Sequence, residues 1–422
     1  MNADPAIDEV ILDTELKHIN FFNGRLLTGG DLEAEQSAQH THFRLVGTAV
    51  GDGVAVGLEV TPATSSPPGE QVVLVAAGLA VNRAGQTLRL ECDQRVALLR
   101  PPDPANRDAC VFADCSAPIS SGTLARGAGL YLLTIAPASQ PEGKAPVSGL
   151  GSGNATCNSR YLTEGVKFRL LPLDVDPGSV DALTRNTVAY RFFGLTTQQS
   201  AAFLTDPKPG PVDARTGLAD LVTAQQLTDY DVPLAVIQWL VGGSLGYIDL
   251  WSVRRRITRA PVTPWPFTVD EQVRSEGEAR FLQFQEHIEA LRSARTALPT
   301  LVASQVFRYL PPVGVLPLAT TSQPNGIDRT KFFQGLTTRD PLYIEGSRLR
   351  HLCQLALDYP PIDLKAAPMM WLYIVRENAQ ANAAAPANGP QPILLFASGQ
   401  LPYAAVPQFD VSVWNFSNYV LT

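Results

Sequence analysis

The chain has 422 residues, long enough for two or three domains with cores of their own. Hydrophobic residues make up 45% and charged residues 17%, the balance of a folded chain and not of a disordered one. A formal net charge of −7, with Arg254-Arg255-Arg256 as the single dense cationic run, argues against nucleic acid as a partner, because neutralising phosphates needs a basic face.

The first residues, "MNADPAIDEVILDTEL", are acidic and lack the basic start and apolar core of an export signal, so synthesis in the cytoplasm is expected. Next comes "INFFNGRLLTGGDLEAEQ". Here Phe21 and Phe22 form an aromatic anchor, Gly24 permits a turn, and Thr28 with Asp31 makes a helix-capping pair. The spacing predicts a helix over 30–46 with a thin apolar seam at Leu32, Gln39, Phe43, Val46 and Val50. So narrow a seam suits a partner helix or subunit, with the phenylalanine pair as a plug. The alternative is a helix laid on its own domain. Arg25 is expected to pair with an acidic group such as Glu35 or a partner's carboxylate.

Residues 54–99 alternate as a small antiparallel β unit with a turn at Asn82–Gly85. A long loop over 101–129 is followed by the strands "LYLLTIAP" and "VKFRLLPL", with the connection between them, 137–160, expected as loop. The sequon at Asn154 lies in that connection. A mixed helical stretch is expected over 195–227. Beyond it, "DVPLAVIQWLVGGSLGYIDLWSVRRRI" predicts two strands joined by a Gly-Gly-Ser turn and a triple arginine that is solvated or at an interface. A long helix follows, opened by a Thr268/Glu271 capping box and facing inward through Val273, Gly277, Phe281, Phe284, Ile288 and Leu291. The last third predicts a short helix over 347–357 and strands in "MMWLYIVRENAQ" and "QPILLFASG", separated by an alanine- and asparagine-rich connector. The closing "FDVSVWNFSNYVL", with Trp414 and Phe416, is expected to dock. The fold class is therefore α+β: mainly antiparallel β domains with an N-terminal docking helix and one long central amphipathic helix. Its expected segments are a docking element over 1–47, a β-rich domain over 48–260 and a mixed α/β domain over 261–422.

Residues for catalysis or metal binding are sparse. Gly242-Gly243-Ser244-Leu245-Gly246 has the letters of a nucleophile elbow, but a strand is expected to leave it where the elbow needs a helix. His40 and His42 point to different faces of one helix, and His18, His287 and His351 are scattered. The five cysteines, Cys110, Cys115 and Cys157 among them, make neither a disulfide framework nor a zinc spacing. The pairs Asp174/Asp176 and Asp229/Asp231 read as turn aspartates. No enzyme activity, metal or cofactor is expected.

Phe22, Gly24, Arg25, Leu27, Asp31, Leu32, Glu35 and Gln36 fit the pattern Phe-x-Gly-Arg-x-Leu-x-x-x-Asp-Leu-x-x-Glu-Gln. That pattern resembles the N-terminal signature of structural proteins of phage-tail-like contractile injection particles. "DVPLAVIQW", "WSVRRR" and "FDVSVWNFSNY" look like further segments of the same family. The resemblance implies a structural baseplate, cap or fibre-like component without a cofactor. Its partners would be other particle subunits (baseplate, sheath, tube or cap proteins), in a ring-like homo-oligomer assembled in a particle that can leave the cell. Interaction residues on this reading are Phe21, Phe22, Arg25, Leu32, Glu35, Gln36, Phe43, Trp414 and Phe416. Two other readings remain: a fibre-like protein binding a cell-surface glycan or protein through its tryptophans and the loops at 101–129 and 137–160, and a hydrolase of envelope polysaccharide.

Overall fold

The computed structural model describes residues 16–63, 71–98, 127–146, 157–174, 184–193, 227–241, 244–259, 271–294, 298–366, 368–386 and 388–401. Trp414, Phe416, Cys110, Cys115, Asn154, Thr268 and most of the stretches 101–129 and 195–227 lie outside them. Among the described residues the chain is α+β, with antiparallel pairing dominant. None of these helices is long and apolar enough to cross a membrane.

Helix α1 (Gly29–Val50) starts where the sequence places it, because Thr28 and Asp31 cap each other. Thr28 Oγ1 accepts the Asp31 N–H at 3.1 Å, and the Asp31 carboxylate accepts the Thr28 N–H at 2.8 Å. The strands β1 (Gly53–Gly57), β2 (Val60–Pro62), β3 (Val72–Val75), β4 (Gly78–Val81), β5 (Thr87–Leu90) and β6 (Gln94–Ala97) follow. They pair as two small sheets, β1-β4-β5 and β2-β3-β6. The expected turn joins β4 to β5, where the Gly85 N–H donates to the Asn82 carbonyl at 2.9 Å.

A larger antiparallel sheet has the order β10-β9-β7-β8, built from β7 (Gly129–Pro146), β8 (Cys157–Pro172), β9 (Val232–Trp239) and β10 (Leu245–Asp249). Side-chain alternation divides its two faces between two cores. Tyr131, Leu133 and Ile135 join Val54, Val73 and Leu88 of the small sheets. Leu130, Leu132 and Val236 instead pack on Val188 and Phe192 of helix α2 (Arg185–Phe192). The expected loop at 137–160 is corrected here: residues 137–146 and 157–160 are the outer part of a β-hairpin whose register runs unbroken from Tyr131↔Pro172 to Pro146↔Cys157. Backbone pairing extends past the core, so no apolar alternation marks it in the sequence.

Helix α3 (Glu271–Ser293) covers one face of a second sheet, β12-β16-β15-β13, formed by β12 (Val313–Pro317), β13 (Leu342–Ile344), β15 (Met370–Val375) and β16 (Ile393–Ser398). A two-stranded pair, β11 (Tyr309–Leu310) with β14 (Ile362–Asp363), lies beside it in the chain. Leu372, Leu394 and Phe396 meet Phe284 and Ile288 of α3, whereas Trp371, Tyr373 and Leu395 turn to Leu352 of helix α4 (Gly346–Ala356). Gly277 belongs to the inward face as expected, since a Cβ there would overlap the Leu357 carbonyl. The buried face of α3 is also polar, which the apolar stripe did not show: Arg280, Gln283 and His287 are buried with Phe284 and Ile288. "RENAQ" and the connector after it are not strand and coil but helix α5 (Arg376–Ala384), because good helix formers follow β15 with no breaker between them.

Candidate functional site

The exposed N-terminal element is the candidate site, an interaction surface built from residues 16–50. Gly24 turns the chain at φ 90°, and the Arg25 N–H closes the turn on the Phe22 carbonyl at 3.2 Å. The Arg25 guanidinium then reaches three neighbours. It donates to the Asn20 carbonyl at 2.8 Å and to Asp31 Oδ1 at 2.9 Å, and lies 5.9 Å from the Phe22 ring centroid. Arg25 therefore pairs with Asp31 and not with Glu35. Being closer in sequence, Asp31 is held in reach by its own capping role.

Glu35 ties the incoming chain to the helix instead. It accepts the Ile19 N–H at 3.0 Å and contacts His18 Nδ1 at 3.3 Å. Hydrogen bonds from the Ile19 amide and His18 hold the Glu35 carboxyl below its ordinary range, and those from the Thr28 hydroxyl and amide do the same for Asp31. Two carboxylates thus fix residues 18–31 on the first turns of α1.

This ordered element leaves its apolar groups in solvent. Phe21 is 58% exposed, Phe22 63%, Leu26 90% and Phe43 69%. Leu27, Leu32, Leu45, Val46 and Val50 are exposed as well, and on α1 only Ala38 and Gly47 are buried. The predicted seam is real, but α1 does not lie on its own domain along it. Gln36 is also solvent-exposed on the helix. A scatter of single apolar residues is ordinary surface, whereas a run of them over one helix and its lead-in is not.

The far end of α1 is clamped. A Cβ at Gly47 would overlap the Gly85 carbonyl in the β4–β5 turn, and Asp52 and Thr258 exchange both backbone hydrogen bonds at 3.2 Å. Replacing Gly47 with valine is expected to push α1 off this turn and cost about 2 kcal/mol, as overpacking does. Faster amide exchange in residues 44–51, with the outer turns unchanged, would be the readout.

Elsewhere polar side chains are used to join elements. Asp231 is a turn aspartate, as expected, accepting the Thr228 N–H at 2.9 Å, and its carboxylate also takes Thr134 and Arg169. Arg254 and Arg255 correct the solvated reading of the triple arginine. Arg254 is buried and donates to the Gly57 carbonyl, and Arg255 donates to the carbonyls of Trp251 at 2.7 Å and Ser252 at 3.2 Å. Arg256 alone is exposed, 3.2 Å from Glu278. Trp239 and Trp371 are core residues, and Trp251 donates to Glu286 at 2.6 Å. These three tryptophans therefore do not form the contact surface that the recognition reading gave them. Ser244 leads straight into β10, the geometry of a hairpin turn. Among the described residues no three His, Cys, Asp or Glu side chains are grouped to hold a metal.

No protein-family model matches the chain, and no curated protein matches it. Among solved structures four chains match. One belongs to the type VI secretion system TssK-TssF-TssG baseplate subcomplex, with 10% identity over 66% of this chain and 73% of that chain. Its TM-score of 0.24 is too low for the likeness to carry weight for fold or function.

Proposed function

We propose that this chain is a non-enzymatic structural subunit of a phage-tail-like contractile injection particle, and that residues 16–50 dock it onto a neighbouring subunit. The observation that carries the reading is the pairing of order with exposure. Arg25–Asp31, Glu35–Ile19 and the Thr28 cap hold the element in one conformation, while Phe21, Phe22, Leu26, Leu32 and Phe43 stay in solvent. Preorganised aromatic anchors on a rigid helix cost little entropy to bury, which is what a docking device needs. The sequence resemblance over Phe22–Gln36 supplies the class of assembly.

Its test is particle composition. Particles purified from cells making the wild-type chain are expected to contain it at a fixed ratio to tube and sheath. The Phe21→Ala/Phe22→Ala/Arg25→Ala variant should fold, because these side chains are outside every core, and be missing from the particles. Equal incorporation of the variant, or wild type absent from the particle fraction by mass spectrometry, sinks the proposal.

A further inference from the structure

The outer part of the β7–β8 hairpin stands beyond both cores. Residues 139–144 of β7 and 159–165 of β8 are exposed, with Tyr161 at 56% and Leu162 at 68%. An isolated two-stranded ribbon is marginal in water, so paired strands of this length without a core call for a covering surface.

The two edges of this ribbon differ. Strand β9 covers β7 only from Gly129 to Ile135. Past that point the β7 edge carries Pro137 and Pro141, which have no N–H and fit a sheet where the missing donor would face outward. That edge is closed to strand addition. Strand β8 ends the sheet order, and from 157 to 171 it contains no proline. Leu162 and Val166 stand opposite Pro141 and Pro137, so the alternation of an antiparallel pair turns their own N–H and C=O groups outward too. Among the described residues no strand pairs with the β8 edge from 160 to 164.

We infer that this edge pairs with the β8 edge of a second copy of this chain, antiparallel and centred on Leu162. The residues around the centre are self-complementary: a two-fold axis there sets Arg160 against Glu164 of the second copy, and Glu164 against its Arg160. Leu162 meets its own counterpart, and Tyr161 meets Thr163. Two opposite-charge pairs and an apolar centre are the side-chain contacts that stabilise neighbouring strands. A residue facing itself across a two-fold axis is what an isologous interface requires. The product is a four-strand ribbon in the order β7-β8-β8-β7, in which Arg160 would give up its 5.1 Å position by the Tyr161 ring only if the cross-strand pair replaces it.

Sedimentation equilibrium of the full chain tests this. Wild type is expected to dimerise reversibly. Glu164→Arg places like charges opposite each other twice and should weaken the dimer about ten-fold. The charge swap Arg160→Glu/Glu164→Arg should restore it, and Leu162→Pro, which removes the central donor, should abolish it. Far-ultraviolet circular dichroism should be alike for all of them, because the substituted side chains touch no core. The Phe21→Ala/Phe22→Ala pair should leave the dimer unchanged, which separates this contact from the N-terminal docking surface. A chain that stays monomeric, a dimer indifferent to Glu164→Arg, or a swap that fails to restore it overturns the pairing.

Discussion

Asp249→Ala is expected to be among the most damaging single substitutions, lowering the stability of the chain by about 3 kcal/mol. Asp249 is fully buried at the end of β10 and is satisfied from three elements. The Trp251 N–H donates to it at 3.1 Å and the Ser252 hydroxyl at 2.5 Å, fixing the turn that leaves the strand. Gln283 of α3 donates at 3.3 Å, and Arg185 Nε of α2 lies 3.6 Å away. Removing the carboxylate takes the counter-charge away from the buried Arg185 guanidinium and leaves the buried Gln283 amide short of an acceptor, and both losses fall on groups whose desolvation is already spent. Arg185 keeps Glu286 at 2.7 Å, which sets the estimate at the lower end for a broken buried pair. Asp249→Asn preserves the turn acceptor but not the charge, so it should cost about half as much. Urea midpoints of the two variants measure this. Equal midpoints for Asp249→Ala and wild type would show that the junction does not hold the sheets and α3 together.

The same junction shows which parts of the molecule could be read from sequence. Helix α1 was legible because its signals are local: Thr28, Asp31 and the apolar residues after them lie within one stretch of chain. So was the hairpin between Trp239 and Leu245, marked by apolar strands on both sides of a glycine turn. Arg254 was not, because what buries it is the Gly57 carbonyl, 197 residues away. Asn186 is similar: fully buried, it accepts the Arg308 N–H at 2.7 Å and donates to the Tyr309 carbonyl at 3.2 Å, clamping β11 onto α2. Nothing near Asn186 or Arg308 announces that meeting. Backbone groups recruit polar side chains across the fold, and single-sequence patterns record only which residues are apolar.

For the exposed N-terminal element, sequence supplied the residues but not how they are fixed. Phe21, Phe22, Leu32 and Phe43 were readable as unpartnered apolar groups, and they are exposed. The choice of Asp31 over Glu35 as the partner of Arg25 was not readable, because it depends on the turn at Gly24 aiming the guanidinium back at the cap. The outer β7–β8 hairpin escaped for the opposite reason. Its strands are held by backbone pairing and a Thr163–Glu142 side-chain hydrogen bond outside any apolar core, and proline, glycine and polar residues there imitate a loop.

Acid should expose the second sensitive point, His287 on α3. Its ring is buried, packs edge-on to Phe307 at 5.0 Å, and its Nδ1 has no hydrogen-bond partner. Burial, with the nearby positive charge of Arg185, pulls its pKa down to about 4 from the ordinary 6.5. The unfolded chain therefore takes up this proton first as pH falls. Stability is full above pH 6.5, declines as pH drops below that value, and the loss is complete once pH passes below about 4. The whole step is about 3 kcal/mol, of which about 2 kcal/mol should be lost between pH 7 and pH 5. The depressed carboxyls work further down the scale: Asp31 and Glu35 start from ordinary values of 3.8 and 4.5, so their contributions vanish mainly below that window. His287→Leu stays neutral at every pH and fills nearly the same space beside Phe307. Its urea midpoint should change less than the wild-type midpoint between pH 7 and pH 5, so that the two curves separate as pH falls, with wild type the lower. A wild-type midpoint as flat as that of the leucine variant would mean that the protonated imidazole finds a partner in the fold, and that the core around α3 is more polar than its contacts imply.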